Sequence, residues 1–236
     1  MSLKEKAKQL RKTVLEMCIK AGTGHVTSCF SCVEIMVELF YRDMTEDDVF
    51  IMSKGQASPL LYAILADKGL IDEEELWKFA QKGGILGVHL DHHIPGALIT
   101  AGSLGHGLGI ATGIAKARKL DKKPGIVYCL LGDGECYEGS VWEAAMYAGN
   151  EKLDNLVAIV DKNGLMVTGH AYVTPLRYKF FAFGWSPSPN EEKPQIWVKD
   201  TVKGKGIPFM ENQALWHGVA PQGKDAKRAR RELDNS

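Results

Sequence analysis

Two apolar segments near the middle of the chain constrain its fold most strongly. Ile126–Leu131 and Leu156–Val160 contain no charged residue, a pattern typical of strands buried on both faces of a parallel sheet. The periodicity predicts a helix between them at Ser140–Ala148. Strand, helix and strand in this order form a unit whose two strands are parallel. The predicted fold class is therefore α/β, with a central, mainly parallel sheet flanked by helices.

Further elements are predicted on both sides of this unit. Apolar residues at three- and four-residue spacing indicate helices, and a short apolar run after residue 195 indicates another strand. A stretch rich in glycine and histidine lacks this periodicity and is expected to form a long loop. The predicted helices cover 2–21, 31–41, 59–68, 73–81 and 108–120, the loop covers 83–109, and the strand covers 196–198.

Composition and charge exclude several classes of protein. The 236 residues carry 29 basic and 29 acidic side chains, and this balance disfavours a nucleic-acid-binding chain. No apolar run reaches the roughly 18 residues of a membrane helix, and the N-terminus lacks the apolar core of a signal peptide. We therefore expect neither nucleic acid nor membrane as a partner. Five cysteines cannot all pair within one chain, so we expect free thiols and a cytoplasmic location.

Each of the two central strands is followed at once by a polar turn that contains glycine. Asp133 follows the first strand and Asn163 follows the second. The carboxyl ends of parallel neighbours meet at one edge of the sheet, where α/β proteins bind ligands. Carboxylate and amide oxygens suit Mg²⁺ or Ca²⁺, and Mg²⁺ commonly also binds phosphate oxygens. The pattern is compatible with Mg²⁺ and a phosphorylated cofactor at this edge, but Asp-Gly and Asn-Gly are also common turn dipeptides, and the two turns alone do not favour the metal site.

The segment from Gly132 to Gly164 resembles the thiamin diphosphate motif, which begins with GDG and ends with asparagine just under thirty residues later. Its surroundings resemble the cofactor-binding, N-terminal half of the transketolase family, over about residues 10 to 221. Five further segments match in order: GTGH at 22–25, SKGQAS at 53–58, ITAGSLGHG at 99–107, TVKGKG at 201–206 and WHG at 216–218.

This resemblance implies a fold, a cofactor and a set of ligands. The thiamin diphosphate-binding fold would occupy residues 1–220, and 221–236 would form a polar, basic C-terminal tail. Asp133, Asn163 and the backbone carbonyl of Leu165 would hold Mg²⁺, for which Ca²⁺ can substitute. The other cofactor-binding residues would be Gly102 and Leu104 near the aminopyrimidine, Gly132 and Gly134 at the diphosphate, and Gln56.

Four further residues would have catalytic roles by the same resemblance. His25, His89 and His217 would line the substrate channel, where imidazoles bind sugar hydroxyls or move protons. Glu138 would couple paired cofactor sites through a subunit interface. Gln56 departs from the family, which usually has histidine there; glutamine donates hydrogen bonds but carries no proton near neutral pH.

The implied activity is that of a transferase, which moves a two-carbon ketol unit from a ketose phosphate to an aldose phosphate in the pentose phosphate pathway. Family members have two more domains, one of which carries the catalytic glutamate. We therefore expect this chain to be the smaller subunit of a split transketolase, active with a C-terminal partner subunit in an α2β2 assembly. The alternatives are half of a deoxyxylulose phosphate synthase, a 2-oxo acid dehydrogenase α subunit, or a non-catalytic binding subunit.

Several other features have more than one interpretation. The family usually places a strand and a helix after Trp185, but here only residues 186–195 precede the last strand, so either the domain is trimmed or sequence is missing. Cys29 and Cys32 are expected in the core, with a zinc or redox site as the alternative. His92 and His93 are expected to be solvated, or else to touch substrate. Lys203 and Lys205 are either loop charges or residues that face a partner. Lys224–Arg231 is expected to be a solvated tail or frayed helix, with a nucleic-acid-binding arm as the alternative.

Overall fold

A four-stranded parallel sheet lies at the centre of the computed structural model, which describes residues 1–172, 175–190 and 192–235. A short antiparallel hairpin follows the third strand. The strands are β1 (Val49–Met52), β2 (Val127–Gly132), β3 (Leu156–Lys162), the hairpin β4 (Leu165–Met166) and β5 (Gly169–His170), and β6 (Gln195–Asp200). In the sheet their order is β1-β2-β3-β6, so the predicted α/β class is confirmed.

Helices flank this sheet. The longest helix, Leu3–Ala21, contacts other helices. The next longest, Gly107–Leu120, lies against β2 and the helix Gly139–Asn150. The helices are α1 (Leu3–Ala21), α2 (Val26–Ser31), α3 (Val33–Glu38), α4 (Ser58–Asp67), α5 (Glu73–Leu76), α6 (Gly107–Leu120), α7 (Gly139–Asn150), α8 (Leu176–Ala182) and α9 (Gly223–Asp234).

Helix α1 shows how the sequence sets the limits of an element. The Ser2 hydroxyl accepts a hydrogen bond from the Glu5 amide, and the Glu5 carboxylate accepts one from the Ser2 amide, which forms a capping box. At the other end Gly22 adopts φ of 70°, a left-handed conformation that glycine reaches without strain. The apolar side between these caps packs against α3, α4 and α9.

Strands β2 and β3 are parallel neighbours, as the strand–helix–strand pattern predicts. All six residues of β2 are buried, and Gly132 pairs with Asp161 in the register. The Asp133 amide then donates to the Asp161 carbonyl over 3.2 Å. This register brings the two polar turns after the strands to the same edge of the sheet.

Several element predictions differ from the structure. The four-residue strand β1 and the helix α8 were not predicted, because each is too short to show a clear period. The predicted helix at 31–41 begins earlier and divides at Cys32 into α2 and α3. The predicted helix at 73–81 ends at Leu76, and Asp72 caps its start by accepting a hydrogen bond from the Glu74 amide.

The segment expected as a polar tail forms α9, which differs from a solvated chain end. Ala229 and Leu233 are buried, and the helix lies on α1. The Arg230 guanidinium donates to the Glu16 carboxylate over 2.6 and 2.7 Å. The helix therefore docks on α1 through an apolar face, and an arginine of the basic run adds an ion pair to this contact.

The connection before β6 is short, as the sequence indicates. Ser186 forms a single parallel bridge with Gln195, and the described residues between Trp185 and β6 contain neither a helix nor a full strand. Elsewhere, the five cysteines are free and buried, and burial raises the pKa of Cys18 to about 12. In the described part of the chain, no helix has both the length and the apolarity that a membrane span requires.

Two helical glycines allow a matched test of this packing. A Cβ at Gly149 of α7 would overlap the Phe183 carbonyl, whereas a Cβ at Gly113 of α6 would meet open space. We expect Gly149→Ala to lower the free energy of unfolding by about 1–3 kcal/mol. Gly113→Ala should raise it by about 0.5–1 kcal/mol. Urea denaturation measures both, and equal effects would contradict the close approach of α7 to Phe183.

Candidate active site

The turns after β2 and β3 meet through the Asp133 carboxylate. Its two oxygens accept hydrogen bonds from the amides of Gly134, over 2.9 Å, and Gly164, over 2.6 Å. Asn163 is also buried, and its Oδ1 accepts from the Leu165 amide over 3.1 Å. The structure thus brings together the three residues predicted to offer metal ligands, Asp133, Asn163 and Leu165.

Burial makes ionisation of the Asp133 carboxyl less favourable than in water. Burial raises the pKa of its carboxyl, although the amides of Gly134 and Gly164 act in the opposite direction. A cation beside it would favour the ionised form, because an opposite charge lowers the pKa of a buried acid. Carboxylate, amide and backbone carbonyl oxygens are hard donors, so this edge of the sheet fits Mg²⁺ or Ca²⁺.

Lys203 is a buried cation at the same edge. Its Nζ donates to the Leu165 carbonyl over 3.2 Å and lies 2.9 Å from His217 Nδ1. Burial lowers the pKa of Lys203 to about 8, and the charge of Lys54 acts in the same direction. Lys203 is therefore a site residue rather than a loop charge, whereas Lys205 forms an ion pair with Glu34 over 3.1 Å.

The three histidines predicted to be catalytic form one cluster. The His25 ring centroid lies 5.3 Å from that of His89 and 5.6 Å from that of His217. Burial, reinforced by neighbouring cations and imidazoles, lowers the pKa of both His25 and His217 to about 4. Near neutral pH these two rings are uncharged, so each has one donor and one acceptor nitrogen.

Polar atoms without partners line this cluster. His25 Nδ1, His89 Nδ1 and Gln56 Oε1 are buried and have no hydrogen-bond partner among the described residues. Leaving a buried polar group unpaired costs about 1–3 kcal/mol. Two of these atoms belong to the cluster and the third to the residue after Gly55, which lies close to His89, so they point to a polar ligand there, as expected of a site that holds a cofactor or a sugar.

Glycines let backbone and side chains approach closely around the histidines. A Cβ at Gly55 would lie 3.0 Å from the Gly102 amide nitrogen and 3.3 Å from His89 Nδ1. A Cβ at Gly218 would lie 3.1 Å from His25 Nε2. The motifs SKGQAS, ITAGSLGHG and WHG thus meet at this cluster, and the predicted residue Gly102 lies beside it.

The remaining predicted residues lie outside the cluster. Gly132 ends β2, and a Cβ at Gly134 would lie 2.9 Å from Met166 Cβ. Leu104 adjoins Gly105, whose amide donates to the buried Glu135 carboxylate over 2.9 Å. Glu138 is exposed at the start of α7, so the structure does not bring it to the histidines.

A buried ionic network behind the site was missed by the sequence reasoning. Lys54 donates to the Asp161 carboxylate, to the Ser28 carbonyl over 2.8 Å and to the Ser31 hydroxyl over 3.1 Å. Asn163 Nδ2 also lies 3.4 Å from an Asp161 oxygen. Lys54 belongs to the motif SKGQAS and Asp161 opens the turn DKNG at 161–164, but only the fold shows that the two charges pair.

Comparisons with known proteins agree with the geometry. A family model described as "Transketolase, thiamine diphosphate binding domain" matches residues 2–191. An apulose-4-phosphate transketolase subunit from Phocaeicola vulgatus is 35% identical over 263 residues, which cover 98% of this chain and 94% of that protein. A 6-deoxy-6-sulfo-D-fructose transketolase subunit from a Clostridium species is 34% identical, covering 98% of this chain and 96% of that protein.

A solved transketolase from Campylobacter jejuni has a TM-score of 0.90 and 28% identity, and the match covers 99% of this chain but 43% of that one. The chain thus spans nearly all of the two subunits, whereas it spans less than half of the full-length enzyme. The alignment with the first relative spans 263 positions, more than the 236 residues of this chain, so the relative contains residues that have no counterpart here.

The two neutral histidines should make the fold sensitive to acid. Unfolded imidazoles bind a proton near pH 6.5, whereas His25 and His217 have pKa values of about 4 in the fold. The unfolded chain therefore binds more protons between these values, and stability falls as the pH falls through this window.

In the variant His25→Asn/His217→Asn, the drop in Tm between pH 7 and pH 5 should shrink by at least about 2–4 °C, the shift that each 1 kcal/mol produces in a chain of this size. Calorimetry measures it, with His106→Asn/His170→Asn, two exposed histidines, as the matched control. A pH profile of the first variant parallel to that of the wild type would contradict the neutral state of these rings.

Proposed function

This chain belongs to the transketolase family, and on that premise we propose that it is the cofactor-binding N-terminal subunit of a split transketolase. The observation that carries the proposal is the joining of the two polar turns by Asp133, next to a cluster of three histidines with unpaired buried nitrogens. The chain matches two transketolase subunits over nearly their whole length and a full-length enzyme over less than half of it, which supports the split arrangement.

The proposed cofactors are thiamin diphosphate and Mg²⁺. Asp133, Asn163 and the Leu165 carbonyl offer the hard oxygen donors that Mg²⁺ prefers. Lys203 adds a cation that would attract the diphosphate. Residues 1–220 would supply this binding domain, with Gly102, Leu104, Gly132, Gly134 and Gln56 as the other cofactor-binding residues.

The histidines would act on the substrate. Bound thiamin diphosphate supplies the nucleophilic carbon and electron sink for carbon–carbon bond cleavage. The ammonium group of Lys203 donates a hydrogen bond to Nδ1 of His217. The neutral ring therefore carries its proton on Nε2 and can donate from there to a sugar oxygen. Nδ1 of His25 and Nδ1 of His89 have no partner in the described part of the chain, so they would be free for further hydrogen bonds or proton transfer.

The proposed assembly contains a second kind of chain. A C-terminal transketolase subunit would complete the site in an α2β2 complex, with ketose and aldose phosphates as substrates. The names of the two bacterial relatives support a partner, since each is named as one subunit of its transketolase. Exposed Glu138 would lie at an interface and couple paired sites, and a cytoplasmic location fits the five free cysteines.

Removal of the Asp133 carboxylate tests the metal and cofactor site. We expect Asp133→Ala to weaken thiamin diphosphate binding by the co-purified two-chain complex, in the presence of Mg²⁺, by about 10- to 100-fold. Isothermal titration measures the affinity, with Asp121→Ala, an exposed aspartate after α6, as the control. Equal affinities of the two variants would sink the proposed site.

Gln56 provides a second test, because it follows Gly55, which lies close to His89, and departs from the family. We expect Gln56→His to leave the affinity for thiamin diphosphate unchanged and to alter the rate with different ketose donors, since histidine adds a group that titrates near neutral pH. Titration and steady-state kinetics separate these effects. A large loss of cofactor affinity would contradict the match of Gln56 to the position where the family usually has histidine.

A further inference from the structure

The loop before α6 presents two histidines and an aspartate that the proposed activity does not use. Asp91, His92 and His93 are consecutive, and the buried residues Leu90 and Ile94 hold the segment on both sides. The Ile94 amide donates to the Asp91 carbonyl over 3.1 Å, and the Ala101 amide donates to the Leu90 carbonyl over 2.9 Å. The three side chains therefore project from an anchored turn.

Their ligand atoms converge. One atom from each of Asp91, His92 and His93 lies within 4.8 Å of the other two. Asp91 Oδ1 lies 2.6 Å from Nδ1 of His93 and 3.6 Å from Nδ1 of His92. The Thr100 hydroxyl lies 2.8 Å from the same nitrogen of His92, and the two ring centroids are 3.9 Å apart.

We propose that Asp91, His92 and His93 bind a divalent transition-metal ion of the zinc class. Imidazole nitrogens favour Zn²⁺ and related ions over Mg²⁺, and a carboxylate oxygen completes a common ligand set. Two neutral imidazoles and one carboxylate leave the bound ion with a net positive charge. The hydroxyl oxygen of Thr100, which lies next to Nδ1 of His92, is a fourth, neutral polar group at this site.

The position of this site suggests open coordination positions. The side chains of His92 and His93 are 56% and 80% exposed, so water or an anionic group can reach a bound ion. Asp91, His93 and Thr100 also line a cavity of about 580 Å³ together with His89 of the histidine cluster. The site therefore lies at the rim of the candidate active site, separate from the Asp133 turn.

Zinc titration of the full chain, free of any affinity tag, tests this site. The chain competes with a chromophoric chelator for Zn²⁺, and saturating Mg²⁺ is present to occupy the oxygen-rich turn. We expect one ion per wild-type chain. The variant His92→Asn/His93→Asn should weaken binding by at least about 10-fold, the lower end of what changes near a metal produce. His170→Asn, an exposed histidine elsewhere, should bind as the wild type does.

Two further variants keep the result decisive. Asp91→Asn retains the shape of the turn and should also weaken binding, and circular dichroism checks that each variant is folded. His25→Asn reports on the inner histidine cluster and should leave zinc affinity unchanged. Absence of zinc binding by the wild type, binding that survives in the double variant, or binding lost in His25→Asn would each overturn the proposal.

Discussion

The buried ion pair of Lys54 and Asp161 joins the segments that build the candidate site. Lys54 follows β1 and reaches across to β3, where Asp161 is fully buried. Ser28 and Ser31 of α2 accept hydrogen bonds from Lys54, and the Thr201 hydroxyl, after β6, donates to Asp161. Burial opposes ionisation of Asp161, but the charge of Lys54 and the hydroxyls of Ser31 and Thr201, which donate to Asp161, lower the pKa of its carboxyl. Removing one partner of such a pair typically costs about 3–5 kcal/mol.

The same charges set the chemistry of the site. The cationic Lys54 lowers the pKa of His25, His217 and Lys203, adding to the effect of burial. The histidines are thereby kept neutral and able to accept and donate, whereas Asp133 lies where burial raises the pKa of its carboxyl. One edge of the sheet thus combines neutral imidazoles with an acid that favours a neighbouring cation, an arrangement suited to an anionic, metal-bound cofactor.

Much of this architecture follows from the sequence. Two continuous apolar runs predict β2 and β3, and the Asp133 and Asn163 turns must then meet at one edge. The charges of Lys54 and Lys203 could not be assigned, because their pairing depends on segments far apart in the chain. Strand β1 has four residues and no distinctive period. The docked helix α9 was missed because its many charges conceal the apolar stripe of Ala226, Ala229 and Leu233.

The central claim is that this chain forms half of a ketol-transferring enzyme, and a reconstituted transfer assay tests it most directly. The chain is co-purified with a transketolase-type C-terminal subunit, and turnover is measured with Mg²⁺, thiamin diphosphate, a ketose phosphate and an aldose phosphate. The account predicts transfer only when both chains are present. Full activity of this chain alone as a monomer, or pyruvate decarboxylation in place of ketol transfer by the assembled complex, would contradict it.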